Sequence, residues 1–288
     1  MTRICLLGDS HTASLKLAWK EIAPEYPDIR MTFFATAGRY ADAWEVDSGS
    51  LILPDATKES IEGANNYKFG RDRINGDFDR YLLCGLKFSS TQCAPIYESF
   101  RIDGSEHDDR TPISADCFHH AVRGTLRGSM AIKTLFKLRE ITSAPIGIIP
   151  QPHRCGDGSE TDVLKNSGSM EIVADEFSRA AIQLASELEF DLYPQPENTL
   201  SAPLQTNEIY RHKGVHMNTA YGQQVLRAVL AEIPVSPEEL EDVQPSDPAV
   251  QQPSKIAAAL PVAPTPSTPP PWHQRCFKAI SALFGRDP

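Results

Sequence analysis

Apolar positions along the first 234 residues fall into short unbroken runs separated by longer stretches with helical spacing. In Arg3–Gly8 the residues Ile4, Cys5, Leu6 and Leu7 follow one another without polar alternation and stop at a glycine. That is the pattern of a strand buried on both faces of a parallel sheet. Arg80–Gly85 and Pro145–Pro150 repeat it, and Ile29–Ala35 and Phe190–Tyr193, interrupted by Arg30, Thr32 and Asp191, are further candidates, which makes five. Between them, apolar residues recur every third or fourth position in Ala13–Ile22, Leu126–Ile141, Met170–Leu188 and Ala220–Ile233. Strands alternating with helices predict an α/β domain, a parallel sheet with helices on both faces. Trp44–Asp79 and Phe88–Gly124 lack a clear period, and loops or small insertions around the working end of the sheet are expected there. No internal repeat at a period of ~20–50 residues is present.

The pattern stops near Pro234. Eleven of the chain's 23 prolines lie between Pro234 and Pro271, a stretch without aromatic residues. Glu238, Glu239, Glu241, Asp242 and Asp247 face no Lys or Arg between Pro237 and Val250. Such a segment buries too little apolar surface to offset its ordering entropy, so a disordered acidic linker is expected over 235–271. In 272–288, Trp272, Cys276, Phe277, Ile280, Leu283 and Phe284 return to helical spacing with Arg275 and Lys278 interleaved. A short amphipathic helix at the end of a tether has no core of its own. A protein partner, a membrane surface and the domain itself are its three candidate docking sites. The bland alternative is a frayed helix with no fixed role.

Charge narrows the function classes. The 288 residues carry 28 Lys+Arg against 38 Asp+Glu, a formal net charge of −10. Nonspecific nucleic-acid binding requires a basic footprint, so no nucleic-acid partner is expected. No run approaches the ~18 apolar residues of a membrane span. The apolar stretch Ile4–Leu7 is too short for a signal-peptide core, so a cytoplasmic protein is expected. The cysteines Cys5, Cys84, Cys93, Cys117, Cys155 and Cys276 form no C-x-x-C pair and have no histidine at zinc-finger spacing. They read as free thiols, with Cys5 and Cys84 acting as small buried hydrophobes.

The candidate chemistry lies at the two ends of the predicted domain. Gly8-Asp9-Ser10-His11-Thr12 follows the first strand and precedes the first helix. Ligands of open parallel sheets bind at the carboxyl ends of strands, and a helix N-terminus there favours developing negative charge. An acyl-transfer nucleophile suits that turn; equally, Asp9, Ser10 or Thr12 could simply cap the helix. The second block, Lys213-Gly214-Val215-His216-Met217-Asn218-Thr219-Ala220-Tyr221-Gly222, stands before the last helix, with Asn218 or Thr219 as its cap.

Together these blocks resemble the SGNH (GDSL-type) hydrolase superfamily, in a GDSH form similar to bacterial esterase and polysaccharide O-acetyltransferase domains. The resemblance spans residues 1–234. It implies a three-layer, flavodoxin-like α/β sandwich with a mostly parallel five-stranded sheet, followed by the disordered tail. It also implies Ser10 as nucleophile and oxyanion donor, His216 as general base, and Gly38 as a second oxyanion donor. Two positions depart from the family pattern. Lys87 stands where an oxyanion-hole Asn is expected, with Phe88 in place of the following Asp. Lys213 stands where the triad acid is expected, three residues before His216. Lys87 either stabilises an oxyanion by charge or points into solvent. Glu208 is the alternative acid, and a Ser–His dyad held by a backbone carbonyl is the other option.

Neither a phosphate loop nor a dinucleotide fingerprint occurs, and no cofactor is expected. His107-Asp108-Asp109 and Asp116–His120 lack recurring ligand spacing, so no metal is expected either. Arg39, Arg123, Arg127 and Arg154 are candidates for contact with a sugar or anionic substrate, or for structural ion pairs. The expected activity is hydrolysis of an acyl ester of a carbohydrate or small metabolite. The alternatives are O-acyl transfer to a polysaccharide and glycan or partner binding without turnover.

Overall fold

The computed structural model describes residues 1–36, 43–54, 73–102, 109–155, 170–213 and 216–234. The linker and tail expected over 235–288, and the expected oxyanion donor Gly38, lie outside the described residues. The five predicted strands form one sheet: β1 (Thr2–Gly8), β2 (Ile29–Ala35), β3 (Arg80–Cys84), β4 (Ile146–Ile149) and β5 (Asp191–Leu192). Their order is β5-β4-β3-β1-β2 and every pairing is parallel. The chain steps from β1 to β2 on one side, then crosses back to lay β3 on the other side of β1. The crevice of such a sheet opens where the order reverses, at the carboxyl end of β1.

Six helices accompany the sheet among the described residues: α1 (Thr12–Ile22), α2 (Ala94–Ser99), α3 (Ala115–Arg127), α4 (Met130–Arg139), α5 (Met170–Glu187) and α6 (Thr219–Glu232). Side chains alternate across a strand, so Ile4 and Leu6 of β1, Met31 and Phe33 of β2, and Leu82 and Cys84 of β3 share one face. They form a single buried cluster with Leu15 and Ala18 of α1 and Val225, Leu226 and Val229 of α6. Cys5, Leu7, Tyr81 and Leu83 point the other way and are equally buried. On that side α4 contacts β3, α5 contacts β5, and α3 packs on α5. The architecture is therefore a three-layer α/β sandwich with an all-parallel five-stranded sheet.

The structure corrects one sequence expectation and fills in two others. Helix periodicity over 126–141 predicted one element, but the chain turns at Gly128 and restarts, with Ser129 Oγ capping α4 by accepting the Ile132 N–H. The stretch 88–124, expected to hold loops or small insertions, contains α2 and most of α3. Helix α3 starts where Ser114 Oγ accepts the Cys117 N–H, and buries Cys117, Phe118, Ala121, Val122 and Leu126. Two histidines and Gly124 diluted that periodicity in the sequence. Within 44–79, Glu45–Asp47, Ser50–Ile52 and Arg73–Asn75 make a small antiparallel sheet. The five described cysteines are all free, and Cys93, Cys117 and Cys155 are buried like the expected Cys5 and Cys84.

Helices α1 and α6 touch closely. A Cβ built on Gly222 would lie 2.4 Å from the Ser14 carbonyl oxygen and 2.9 Å from Ala18 Cβ. No side chain fits there without moving backbone. Gly222→Val should lower unfolding free energy by about 1–3 kcal/mol, because overpacking forces the helices apart. Urea denaturation measures this, and an unchanged midpoint would contradict the close approach.

Candidate active site

The turn after β1 is built around Asp9. Its carboxylate is buried and accepts two backbone N–H groups, His11 N–H at Oδ1 (3.0 Å) and Leu86 N–H at Oδ2 (2.9 Å). The first bond tightens the turn that presents Ser10, and the second ties that turn to the loop leaving β3. Gly85 makes room by adopting φ +74°, and a Cβ there would stand 2.6 Å from Asp9 Oδ1. Asp9 is therefore a brace between two loops. Helix α1 begins immediately afterwards, with His11 as its N-cap and no capping bond from the His11 side chain. Of the three residues that could cap this helix start, Asp9 does so, since its Oδ1 takes the His11 N–H two residues on, whereas Ser10 Oγ and Thr12 Oγ1 make no such bond.

Ser10 is half-buried at this turn, and its Oγ makes no hydrogen bond among the described residues. Opposite it stands the late histidine. Arg211–Lys213 and His216–Met217 form a two-stranded antiparallel hairpin. Met217 enters the α1–α6 core, and Asn218 Oδ1 accepts the Tyr221 N–H (3.0 Å) to start α6. Asn218 Nδ2 also donates to the Ile209 carbonyl (2.8 Å). Anchored in this way, His216 is half-buried, and its ring centroid lies 5.7 Å from that of His11 at an interplanar angle of 43°. The two sequence blocks, from opposite ends of the domain, thus meet at the carboxyl end of β1.

His11, to which sequence reasoning assigned no role, is the second imidazole of this site. It is 8% exposed, and its Nδ1 has no hydrogen-bond partner among the described residues. Burial pushes its pKa below the ordinary histidine range. The Asp9 charge opposes this shift, while His216 and Arg154 add to it. The signal was present in the sequence, since His11 directly follows Ser10.

The remaining candidates fall as follows. Lys87 is exposed, in a left-handed turn (φ +58°) next to Leu86, and Phe88 is fully buried against Phe177 and Phe190. Of its two expected roles, the exposed side chain matches the solvent-facing one. Glu208 is ion-paired with Arg211 at 3.4 Å and is half-exposed. Lys213 lies directly across the hairpin from His216. Arg123 and Arg127 both bind Glu187, which gives them the structural role. His119 sits on α3 between Glu176 and Gln183. Burial pushes the thiols of Cys84 and Cys155 upward, so neither rivals Ser10 as a nucleophile.

Behind the site a second serine–histidine contact anchors the loop after β4. Ser90 Oγ lies 3.1 Å from His153 Nδ1, with Ser90 itself fully buried. The His153 backbone N–H donates to Gln195 Oε1 (2.9 Å), and Gln195 Nε2 donates to Thr199 and Thr206 hydroxyls (3.0 Å each). No sequence signal pointed to this network, because its members come from four separate segments.

No family model matches the chain, and no curated protein matches it. Among solved structures, similarity extends to a carbohydrate acetylesterase family member from Sinorhizobium meliloti, at 15% identity and a TM-score of 0.37, over 80% of this chain and 95% of that one. A putative SGNH hydrolase from Slackia heliotrinireducens is similar at 13% identity and a TM-score of 0.37, over 80% and 97%. A catalytic mutant of an acetylxylan esterase from Geobacillus stearothermophilus follows at 13% and 0.34, over 80% and 93%. At these values each is a likeness in overall arrangement.

Burial pushes the His153 pKa down from 6.5 to about 4. Between those values the unfolded chain binds more protons than the folded one, so stability rises with pH across that window. The contribution is fully present above about pH 6.5 and is lost toward pH 4, on the order of 3 kcal/mol in total. Urea unfolding from pH 7.5 to 4 should show this slope in the native chain and a shallower one in His153→Gln. Coincident slopes would remove His153 as its source.

Proposed function

We propose that the chain is an SGNH-type serine hydrolase cleaving an acyl ester, with Ser10 as nucleophile and His216 as general base. The observation that supports this best is the convergence of the Ser10 turn and the His216 hairpin at the carboxyl end of β1. Ser10 Oγ attacks the acyl carbonyl carbon while His216 accepts the hydroxyl proton. The oxyanion develops beside the first backbone N–H groups of α1, and Ser10 N–H is the donor in this reading. Collapse of the intermediate breaks the ester C–O bond, and the alcohol leaves with the proton from His216. Water then repeats the sequence: His216 takes its proton, hydroxide attacks the acyl–Ser10 carbon, and the acid departs as Ser10 regains its hydroxyl.

A catalytic serine and histidine are often further apart without substrate than during reaction, so the unbonded Ser10 Oγ is compatible with this role. Glu208 engages Arg211, which favours a Ser–His dyad over a triad completed by Glu208. Gly38 remains in this reading as a second oxyanion donor, and Lys87 as a charge near the turn braced by Asp9. The substrate class within this reading is an acetyl or similar ester of a carbohydrate or small metabolite. Transfer to a sugar hydroxyl uses the same acyl–Ser10. The cation at Lys213, where a carboxylate would help the histidine, favours the second reading: a domain of this type that binds without turnover.

A fluorophosphonate probe should label the protein at Ser10, located by mass spectrometry. Ser10→Ala should abolish the adduct, and His216→Ala should slow its formation by about 10²–10⁴-fold. A folded protein that stays unlabelled would support the binding-only reading.

A further inference from the structure

This inference rests on the hydrolase reading and extends it to the substrate. Lys213 and His216 are direct cross-strand partners, so their side chains leave the same face of the hairpin. Lys213 is exposed and has no ion pair among the described residues. The acidic groups nearby are already engaged: Asp9 by two backbone N–H groups, Glu208 by Arg211. Arg154, in the loop after β4, is a second cation, and its charge acts on His11. His11 adds a buried polar atom, Nδ1, with no hydrogen-bond partner among the described residues. A buried polar atom in that state costs stability unless a ligand or water satisfies it. In a chain of net charge −10, a cationic face beside the base runs against the overall composition.

The orientation of the reaction says which half of the ester meets these groups. The histidine gives its proton to the leaving oxygen, so it stands beside the alcohol half rather than the acyl chain. A side chain that shares its face therefore meets the alcohol. We propose that the alcohol half of the substrate carries an oxyanion group, a carboxylate, sulfate or phosphate, which Lys213 binds with Arg154 beside it. Attraction of this kind acts on capture of the substrate and weakens with ionic strength.

The test uses the full-length chain with two acetyl esters, 4-nitrophenyl acetate and 4-acetoxybenzenesulfonate, whose alcohols are uncharged and sulfonated. Lys213→Glu should lower the ratio of their kcat/KM values (sulfonate over neutral) by about tenfold, whereas Lys213→Arg should largely keep it. Added NaCl should lower the same ratio in the native chain. A ratio that changes by less than about twofold in Lys213→Glu overturns the proposal.

Binding of 4-hydroxybenzenesulfonate to Ser10→Ala protein, followed by the imidazole NMR signals of His11 and His216, separates this claim from the hydrolase reading. Lys213-dependent binding without Ser10-dependent turnover supports the anion site and overturns the hydrolase reading. Turnover of both esters with neither selectivity nor binding that depends on Lys213 does the reverse. Neither binding nor turnover overturns both.

Discussion

Two loops that leave adjacent parallel strands can act on one molecule only if something holds them together, and here that is the Asp9 carboxylate. Its two oxygens take one backbone N–H from the turn after β1 and one from the loop after β3. A buried carboxylate costs several kcal/mol unless it is hydrogen-bonded, so this arrangement is strongly preferred over a loosened one. The bond also fixes a backbone that would otherwise relax. Gly85, Leu86 and Lys87 are all left-handed, at a cost of about 1–2 kcal/mol for each residue that is not glycine. The Leu86 carbonyl, which accepts Ala131 N–H, and the buried Phe88 ring hold the far side of the same turn. Local strain at a loop beside a reactive side chain is common where the surroundings over-determine it.

The opposite wall of the site depends on helix packing. Gly222 lets α6 lie against α1, and Met217 and Tyr221 sink into the core the two helices share. The hairpin bearing His216 precedes that helix, and Asn218 joins them by capping one and bonding the other's neighbouring turn. Ser10 stands in the turn just before α1. One apolar interface therefore sets the separation between the two residues proposed to do the chemistry. Substitutions in it would reach the site without touching a polar group.

The electrostatics of the mouth are unusual for a proposed hydrolase. The base has an imidazole neighbour whose pKa burial lowers and a lysine across the strand, whereas the buried carboxylate of Asp9 serves the backbone. A neutral base needs no carboxylate to exist, but its imidazolium does need a counter-charge when it forms. An anionic alcohol in the substrate would supply that charge at the site itself. Substrate recognition and transition-state electrostatics would then share the same groups.

Most of the fold was legible in the sequence because burial leaves a local mark. The unbroken run Ile4–Leu7, the runs in β3 and β4, and the apolar stripes of α1 and α6 each reveal their environment within a few residues. Where polar residues or glycine diluted the mark, as in α3, or where a break fell inside a continuous stripe, as at Gly128, the local signal failed. The Ser10 and His216 blocks, too, stood out as candidates from their positions after the first strand and before the last helix. Sequence alone could not say that Asp9 braces the loop after β3, that His11 lies against His216, or that His153 is held by Ser90 and Gln195. Each of these joins residues far apart along the chain, and only the strand order and helix packing decide which distant side chains meet. Local pattern determined the elements; long-range packing decided which chemistry they could assemble.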